Sequence, residues 1–470
     1  MAIGKLADKV VGLLLLGITV LVILREWSAL PWLYPVTPWL VSLVLLIFAV
    51  QVRLSRKAFV VVGLGLSLAL AATNGDWQAI VLRGLASAAF IAAFFCALAT
   101  LRNAAQTSPA IQQAGRFLSS QPPGRRYAAL TVGGQLFALL LNYGSIQLLG
   151  ALAMANARAE PNLEIRNHRT RRMLLAIQRG FISTLSWSPL SFSVAITTSL
   201  VPGTSWAAVV LPGLVTAGIV AGIGWALDTA FKPRLTVTPV RGPVSGSWAS
   251  MAPLIWLLAA LIIGVTGLYL LTGVRVVGIV ALIVPAISVT WLILQTWSVD
   301  PARNVGRRAR DYVLAELPGY RSELTLLMMA GFIGTTGAQL LLPVMAASGL
   351  HLEALPTWAI LVAFVWILPL FGQIGMNPIL SFSLIAPLIP DAAVLGVTPT
   401  AIVVAATAGW TISGASSPFT ATTLLTGSFA GISALRVGLV WNGVYTLICG
   451  AVLSAWVLLY AFVIHPAVLG

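Results

Sequence analysis

Acids, cysteine and histidine are scarce in this sequence. Of 470 residues, 12 are Asp or Glu, two are Cys and three are His. Charged residues of both signs make up 8% of the chain, against roughly a quarter in an average soluble domain. So little charge cannot clothe a soluble surface, which excludes a cytosolic enzyme and a disordered chain. Cys96 and Cys449 both lie inside apolar runs, which excludes a disulfide scaffold. His168, His351 and His465 and all twelve carboxylates fall in loops or at the ends of apolar runs. A proton-coupled carrier, a metalloenzyme or an acid–base enzyme needs such groups at depth. No nucleotide loop, zinc pattern or catalytic triad is present.

Apolar length is what the chain has. Hydrophobic residues make up 59% and the mean hydropathy is +0.97. This composition predicts an all-α polytopic membrane protein. The net charge of +15 does not point to nucleic acid, because the basic residues sit in short loops between apolar runs, as orientation signals do. Lys5 and Lys9 precede the first apolar run, but Arg25-Glu26 follows it without a small-residue cleavage pattern. That run reads as a retained first span.

Eleven spans are expected, over 10–24, 37–52, 58–73, 78–101, 173–201, 207–228, 251–272, 277–296, 324–347, 398–427 and 437–464. Two further apolar stretches, 128–156 and 358–388, fit as re-entrant hairpins. With both returning to the side they came from, 23 of the 27 Lys and Arg fall on one side. If 128–156 crossed instead, Arg158, Arg166, Arg169, Arg171 and Arg172 would lie outside, against the positive-inside bias. The expected placement is a bacterial-type inner or plasma membrane, with the N-terminus cytoplasmic and the C-terminus outside. The stretch 102–127 reads as an interfacial helix ending in the turn Gln121-Pro122-Pro123-Gly124.

The organisation follows. Residues 1–127 supply scaffold helices and the interfacial helix. Residues 128–228 hold the first hairpin, a broken span 5 and span 6. Residues 229–357 are a linker and second-repeat scaffold helices, and 358–470 hold the second hairpin, a broken span 10 and span 11.

Two spans share a polar core. With an offset of 229, Ser188-Pro189 meets Ser417-Pro418, Ser191 meets Thr420, Ser193 meets Thr422 and Thr197 meets Thr426. Each follows a hairpin with an Asn near its middle, Asn142-Tyr143-Gly144-Ser145 and Asn377-Pro378, and a Gln before that, Gln135 and Gln373. A lone Pro in a span is often only a kink, and a lone Ser or Thr often serves packing. The repeated set, on opposite sides of the membrane, is the pattern of inverted-repeat transporters with discontinuous helices.

Proline removes a backbone donor and frees the carbonyl four residues back. A carbonyl freed at bilayer depth needs a partner, such as a cation, while the next half-helix turns its N–H groups toward an anion. The expected substrate site is Asn142, Ser145, Ser188 and Ser191 from one half and Asn377, Ser417, Thr420 and Thr422 from the other. Asn142, Ser188, Asn377 and Ser417 are the candidate Na⁺ ligands. No other cofactor is expected.

Arg83 and Arg179 are the deepest charges, both expected to snorkel toward headgroups, Arg179 with the alternative of meeting a substrate carboxylate near the inner mouth. Trp27, Trp32, Trp39, Trp206 and Trp297 sit near span ends and read as interface anchors. The run Gly84-Leu85-Ala86-Ser87-Ala88-Ala89 permits close helix packing, as a dimer or scaffold contact.

The layout resembles the ion transporter superfamily, and within it most nearly the divalent anion:sodium symporter family, which carries dicarboxylates, citrate or sulfate. That family has Ser-Asn-Thr at both hairpin tips; here only Asn142 and Asn377 correspond. The resemblance implies an elevator-type fold, in which a transport domain of hairpins and spans 5 and 10 slides against a scaffold, usually in a homodimer. The expected function is secondary transport of a small anion, dicarboxylate-like or inorganic, coupled to Na⁺. The alternatives are a membrane-embedded enzyme on a lipid-linked substrate, for which His351, Glu353 and Asp391 are the only cluster, and a channel or uncoupled carrier.

Overall fold

The computed structural model describes residues 2–28, 33–106, 108–232, 235, 246–297, 300–348 and 352–467. Every regular element among them is helical, as the apolar composition predicts: in lipid a helix satisfies its own backbone. The helices are α1 (Ala2–Ser28), α2 (Leu33–Gln51), α3 (Leu54–Thr73), α4 (Trp77–Gln106), α5 (Pro109–Ser119), α6 (Pro123–Leu141), α7 (Gly144–Arg158), α8 (Leu163–Ser183), α9 (Phe192–Leu200) and α10 (Trp206–Ala230). They continue with α11 (Ala252–Thr272), α12 (Val276–Thr296), α13 (Pro301–Asp311), α14 (Arg321–Ala347), α15 (Thr357–Gln373), α16 (Pro378–Ile385), α17 (Pro399–Ser416), α18 (Ala421–Ala430) and α19 (Gly443–Leu459).

Eight helical segments are long and apolar enough to cross a membrane, from Leu6–Ser28 to Gly443–Ile464. With α2 and the interrupted pairs α8/α9 and α17/α18, these account for the eleven expected spans. Helices α6 and α7 fold against one another about Asn142-Tyr143, so the first expected hairpin forms; the second stretch is interrupted at 374–377, between α15 and α16. The polar stretch 102–127 carries the amphipathic α5, with Ile111, Phe117 and Leu118 buried. One expected boundary moves. The Arg-rich segment before span 5 is not a loop, because α8 begins at Leu163, where Asn162 Oδ1 accepts from the Ile165 N–H at 3.1 Å.

The chain divides into two compact units. The first contains Met1–Ala104, Leu261–Leu352 and Ile379–Ile389. Its core holds Leu15, Ile18, Val44, Phe48, Ala88, Ala92 and Phe332. The small-residue run of α4 is used inside this unit. A Cβ on Gly84 would lie 2.9 Å from Phe332, and one on Gly331 of α14 would lie 2.9 Å from Ser87 Oγ. Helix α16 approaches α14 as closely: a Cβ on Gly334 would sit 2.1 Å from Ser383 Cβ. Arg275 pairs with Glu26 at 2.6 Å, and Arg321 with Asp8 at 3.3 Å.

The second unit contains Ala105–Ala260, Glu353–Pro378 and Pro390–Gly470. It holds α5–α10, α15, α17–α19 and both interruptions. Glycine sets its closest helix pairs. A Cβ on Gly180 of α8 would meet the Thr131 carbonyl of α6 at 2.2 Å; one on Gly409 of α17 would meet the Phe364 carbonyl of α15 at 2.2 Å. Gly180 and Gly409 are themselves 229 residues apart, so the tight approach belongs to the repeat.

Candidate functional site

Each interruption is a Ser-Pro β-turn set into a helix. In the first, Ser191 N–H donates to Ser188 O at 3.1 Å; in the second, Thr420 N–H donates to Ser417 O at 3.4 Å. Proline occupies the second turn position, which its fixed φ suits. The serine before it accepts from the backbone two residues on, Leu190 N–H to Ser188 Oγ at 3.1 Å and Phe419 N–H to Ser417 Oγ at 3.3 Å. The proline is thus a turn residue, not a kink in a continuous helix.

Three side-chain bonds repeat in both, and Thr423, where the first break has Val194, adds bonds to Ser417 O and Thr420 in the second. Ser191 Oγ donates to Ser188 O at 2.9 Å, and Thr420 Oγ1 to Ser417 O at 3.0 Å. Ser191 and Ser193 hydroxyls lie 3.1 Å apart, those of Thr420 and Thr422 2.9 Å. Ser193 Oγ donates to the Leu185 carbonyl, and Thr422 Oγ1 to the Gly414 carbonyl. Leu185 and Gly414 are the residues four before each proline, whose carbonyls the proline frees. The sequence argument offered those oxygens to a cation; the structure gives each a hydroxyl from the following half-helix. Ser191 also caps α9, accepting from Val194 N–H at 3.3 Å. A glycine closes on each break: a Cβ on Gly213 would lie 2.3 Å from Ser186 O, and one on Gly438 would lie 2.0 Å from Ser416 O.

All eight candidate site residues lie in the second unit. Ser188 and Ser191 meet in one turn. Ser417, Thr420 and Thr422 meet in the other, beside the second hairpin, where Ser417 Oγ donates to Gly372 O at 2.6 Å. Gly375 at that tip has φ +89°, a left-handed conformation that glycine adopts without strain, and a Cβ there would lie 3.8 Å from the Phe419 ring. At the first tip Asn142 has φ +49°, uncommon for a residue with a Cβ. Its carbonyl accepts from Ser145 Oγ at 2.7 Å, while its side-chain amide has no hydrogen-bond partner among the described residues. Tyr143 stacks on Phe181 at 5.0 Å, and Gln135 Nε2 donates to Ser183 Oγ at 2.5 Å, fixing this hairpin on α8. Asn377 lies at the second tip.

Two expectations are overturned. Arg179 does not snorkel: it is 4% exposed, inside the second unit. Its Nε donates to Asn442 Oδ1 at 3.2 Å, its Nη1 to the Tyr127 hydroxyl at 3.0 Å, and its guanidinium lies 4.2 Å from the Tyr445 ring centre. Trp206 is no interface anchor: it is buried and donates to the Trp187 carbonyl at 2.9 Å, beside the first break. Trp39 and Trp297 are exposed as anchors should be, and Arg83 is exposed on α4. Trp32, His351 and the Glu353 side chain lie outside the described residues.

Asn442 is the residue the sequence reading missed. It is fully buried and donates to Gln178 Oε1 at 3.0 Å and to Ala415 O at 3.3 Å. It therefore ties Gln178 and Arg179 of α8 to the end of α17. The available signal was an amide flanked by Gly438 and Gly443 within the apolar run 437–464.

At the mouth of α6 and α8, Arg172 grips Asp228 through Nε at 2.8 Å and Nη2 at 2.6 Å, and Arg169 reaches Glu160 at 3.0 Å. The hydrogen bonds that Arg172 donates to Asp228 hold its guanidinium above its ordinary range. Burial, then the neighbouring charges of Arg169 and Arg172, lowers Arg126 to about 10.

This architecture, with two hydroxyl-clasped breaks, is that of an all-helical polytopic membrane protein. The chain is similar to the YdaH transporter of Alcanivorax borkumensis, whose topology is described as unusual, with 18% identity, a TM-score of 0.58 and coverage of 86% of this chain and 98% of that one. It is also similar to MtrF of Neisseria gonorrhoeae, one of a class of antimetabolite efflux pumps, with 13% identity, a TM-score of 0.57 and coverage of 88% and 96%. No protein-family model and no curated protein matches the chain.

Proposed function

We propose that the protein is a secondary transporter of a small anion, dicarboxylate-like or inorganic, coupled to Na⁺, and not an enzyme. The observation that carries the reading is the pair of Ser-Pro breaks whose hydrogen bonds repeat at an offset of 229. A helix broken once is a packing accident; broken twice in the same chemistry beside a hairpin, it is a device for presenting backbone groups at depth. The half-helices α9 and α18 offer N–H groups to an anion, and Asn142 contributes an amide that the fold leaves unpaired. Neutral oxygens suit Na⁺ better than a proton, which needs a titratable group at depth.

The proposed solute position is near the two hairpin tips, with Asn142 and Asn377 as its amide ligands and Ser188 and Ser417 contributing Na⁺ ligands. Ser191, Thr420 and Thr422 hold the breaks open and align their backbone groups. The second unit, which contains all these residues, is the proposed moving part of an elevator, the first unit the scaffold, and the assembly a homodimer. The direction of transport is a separate matter; the likeness to MtrF favours efflux as a second reading.

The test is thermal unfolding in detergent, in NaCl against choline chloride, with carboxylates, sulfate and phosphate. A ligand that binds only the folded state raises apparent stability by mass action. An anion-dependent rise that requires Na⁺ is expected, and Asn142→Ala and Asn377→Ala should abolish it together with proteoliposome uptake. Uptake unchanged in both variants would place the site elsewhere. A rise that ignores Na⁺ would leave an uncoupled carrier or a channel.

A further inference from the structure

Arg179 is a buried cation without a counter-ion among the described residues. Its acceptors are the Asn442 amide at 3.2 Å, the Tyr127 hydroxyl at 3.0 Å and the Gly224 carbonyl at 3.4 Å, all neutral. The acid nearest along α10, Asp228, lies one turn past Gly224 and is held by both Arg172 contacts. Burying a charge costs several kcal/mol unless an opposite charge offsets it. Nη2 of Arg179 has no acceptor among the described residues.

A second unpaired donor lies in the same cluster. Gln178 is fully buried, and its Nε2 has no hydrogen-bond partner. The assignment of its amide follows from Arg179. A guanidinium only donates, so Asn442 must present Oδ1 to it and turn Nδ2 the other way. Nδ2 then meets Gln178, which must answer with Oε1, and Nε2 is left over. The cluster therefore offers two free donor groups and one uncompensated positive charge. A water or hydroxyl would satisfy the donors and leave the charge; a carboxylate satisfies both.

We propose that Arg179 and Gln178, oriented by Asn442, bind a carboxylate group of the carried solute, as a recognition point in addition to the Ser188 turn. The proposal rests on the small-anion reading above and names its substrate class. Arg179 precedes Ser188 by roughly 14 Å of helix at about 1.5 Å per residue, lengthened slightly by the tighter turn between them. Asn442 reaches the carbonyl of Ala415, two residues before Ser417. A solute moving between the breaks and the inner end of α8 meets this cluster.

The decisive variant is Gln178→Glu. It puts a carboxylate of nearly the same shape beside Arg179 and supplies the missing counter-ion within the chain. Its unfolding midpoint without ligand should rise, and its response to added carboxylate should vanish. Arg179→Gln should need at least tenfold more carboxylate than wild type for the same rise in midpoint, with Arg179→Lys recovering part of it. The probes are acetate, succinate, glutarate and citrate, with succinamide and sulfate as controls. Succinamide should do nothing and sulfate less than succinate.

A purely structural Arg179 would leave the carboxylate response of folded Gln178→Glu intact, and that result overturns the proposal. If Asn142→Ala and Asn377→Ala lose the response while the Gln178 and Arg179 variants keep it, the cluster is excluded and the transporter reading stands. A sulfate response equal to succinate's overturns the carboxylate class. A wild type that responds to no carboxylate overturns the cluster, and if sulfate and phosphate also fail, the anion reading falls with it.

Discussion

Single residues in this fold are decided by space and by unpaired atoms more than by hydropathy. Gly180 and Gly409 let two helix pairs approach to backbone contact, with no room for a methyl group. Forcing extra volume into a packed site typically costs about 1–3 kcal/mol. Gly180→Ala and Gly409→Ala should each lower the unfolding midpoint in detergent, by similar amounts because the two sites are equivalent. Gly218 on α10 has nothing within 4 Å, so Gly218→Ala should be neutral or slightly stabilising. Equal midpoints for all three would show that the close approaches do not matter to stability. Arg179 and Trp206 show where residue-scale reading stopped. Both were placed by distance from a span end, and position along a helix does not say which face a side chain takes. Arg179 faces Tyr127, Asn442 and Tyr445, and no periodicity in the polar segment around it marks that face.

Elements were more legible, because their signals are redundant. The first hairpin was readable from where the basic residues fall, and both broken spans from Pro and the hydroxyl pattern taken together. The chemistry inside the breaks was only half readable. Proline does free a carbonyl, but which group takes it depends on where the chain goes after the turn. Ser193 and Thr422 return to the Leu185 and Gly414 carbonyls, and that closure needs the β-turn geometry, which a broken span read from sequence does not specify. Each hydroxyl is thus a clasp across a break. A buried carbonyl left without its donor costs about 1–3 kcal/mol. Ser193→Ala and Thr422→Val should each destabilise by that order, and hydrogen exchange should quicken at the first amides of α9 and α18 respectively. Pro189→Ala should leave exchange there nearly unchanged, because Ser188, Ser191 and Ser193 hold the turn without it. If Pro189→Ala instead protects those amides, the break depends on proline and the clasp is secondary.

At the scale of the whole molecule, the sequence supplies orientation through charge and the structure supplies grouping through contact. The two kinds of information do not overlap. The first unit draws on three separate stretches of chain, and α16 joins it while α15 belongs to the second unit, an assignment no local pattern encodes. Orientation, conversely, comes only from where the basic residues fall. Helix α13 is the sharpest case. Arg303, Arg307 and Arg310 are exposed along it, Asp300 caps it by accepting from Arg303 N–H at 3.2 Å, and none of its residues is buried. Positive charge of this density on a short connection belongs on the cytoplasmic side. The opposite side should carry the α3–α4 turn, which has Asp76 and no basic residue. Gly306 and Gly75 sit on these two segments in open space, so a cysteine fits at either without moving a neighbour. The native Cys96 and Cys449 are both buried, which keeps background labelling low. In intact cells a membrane-impermeant maleimide should label Gly75→Cys and spare Gly306→Cys until the membrane is permeabilised. Labelling in the reverse order would invert the protein, place both termini on the other side, and turn the Arg179 cluster toward the outside.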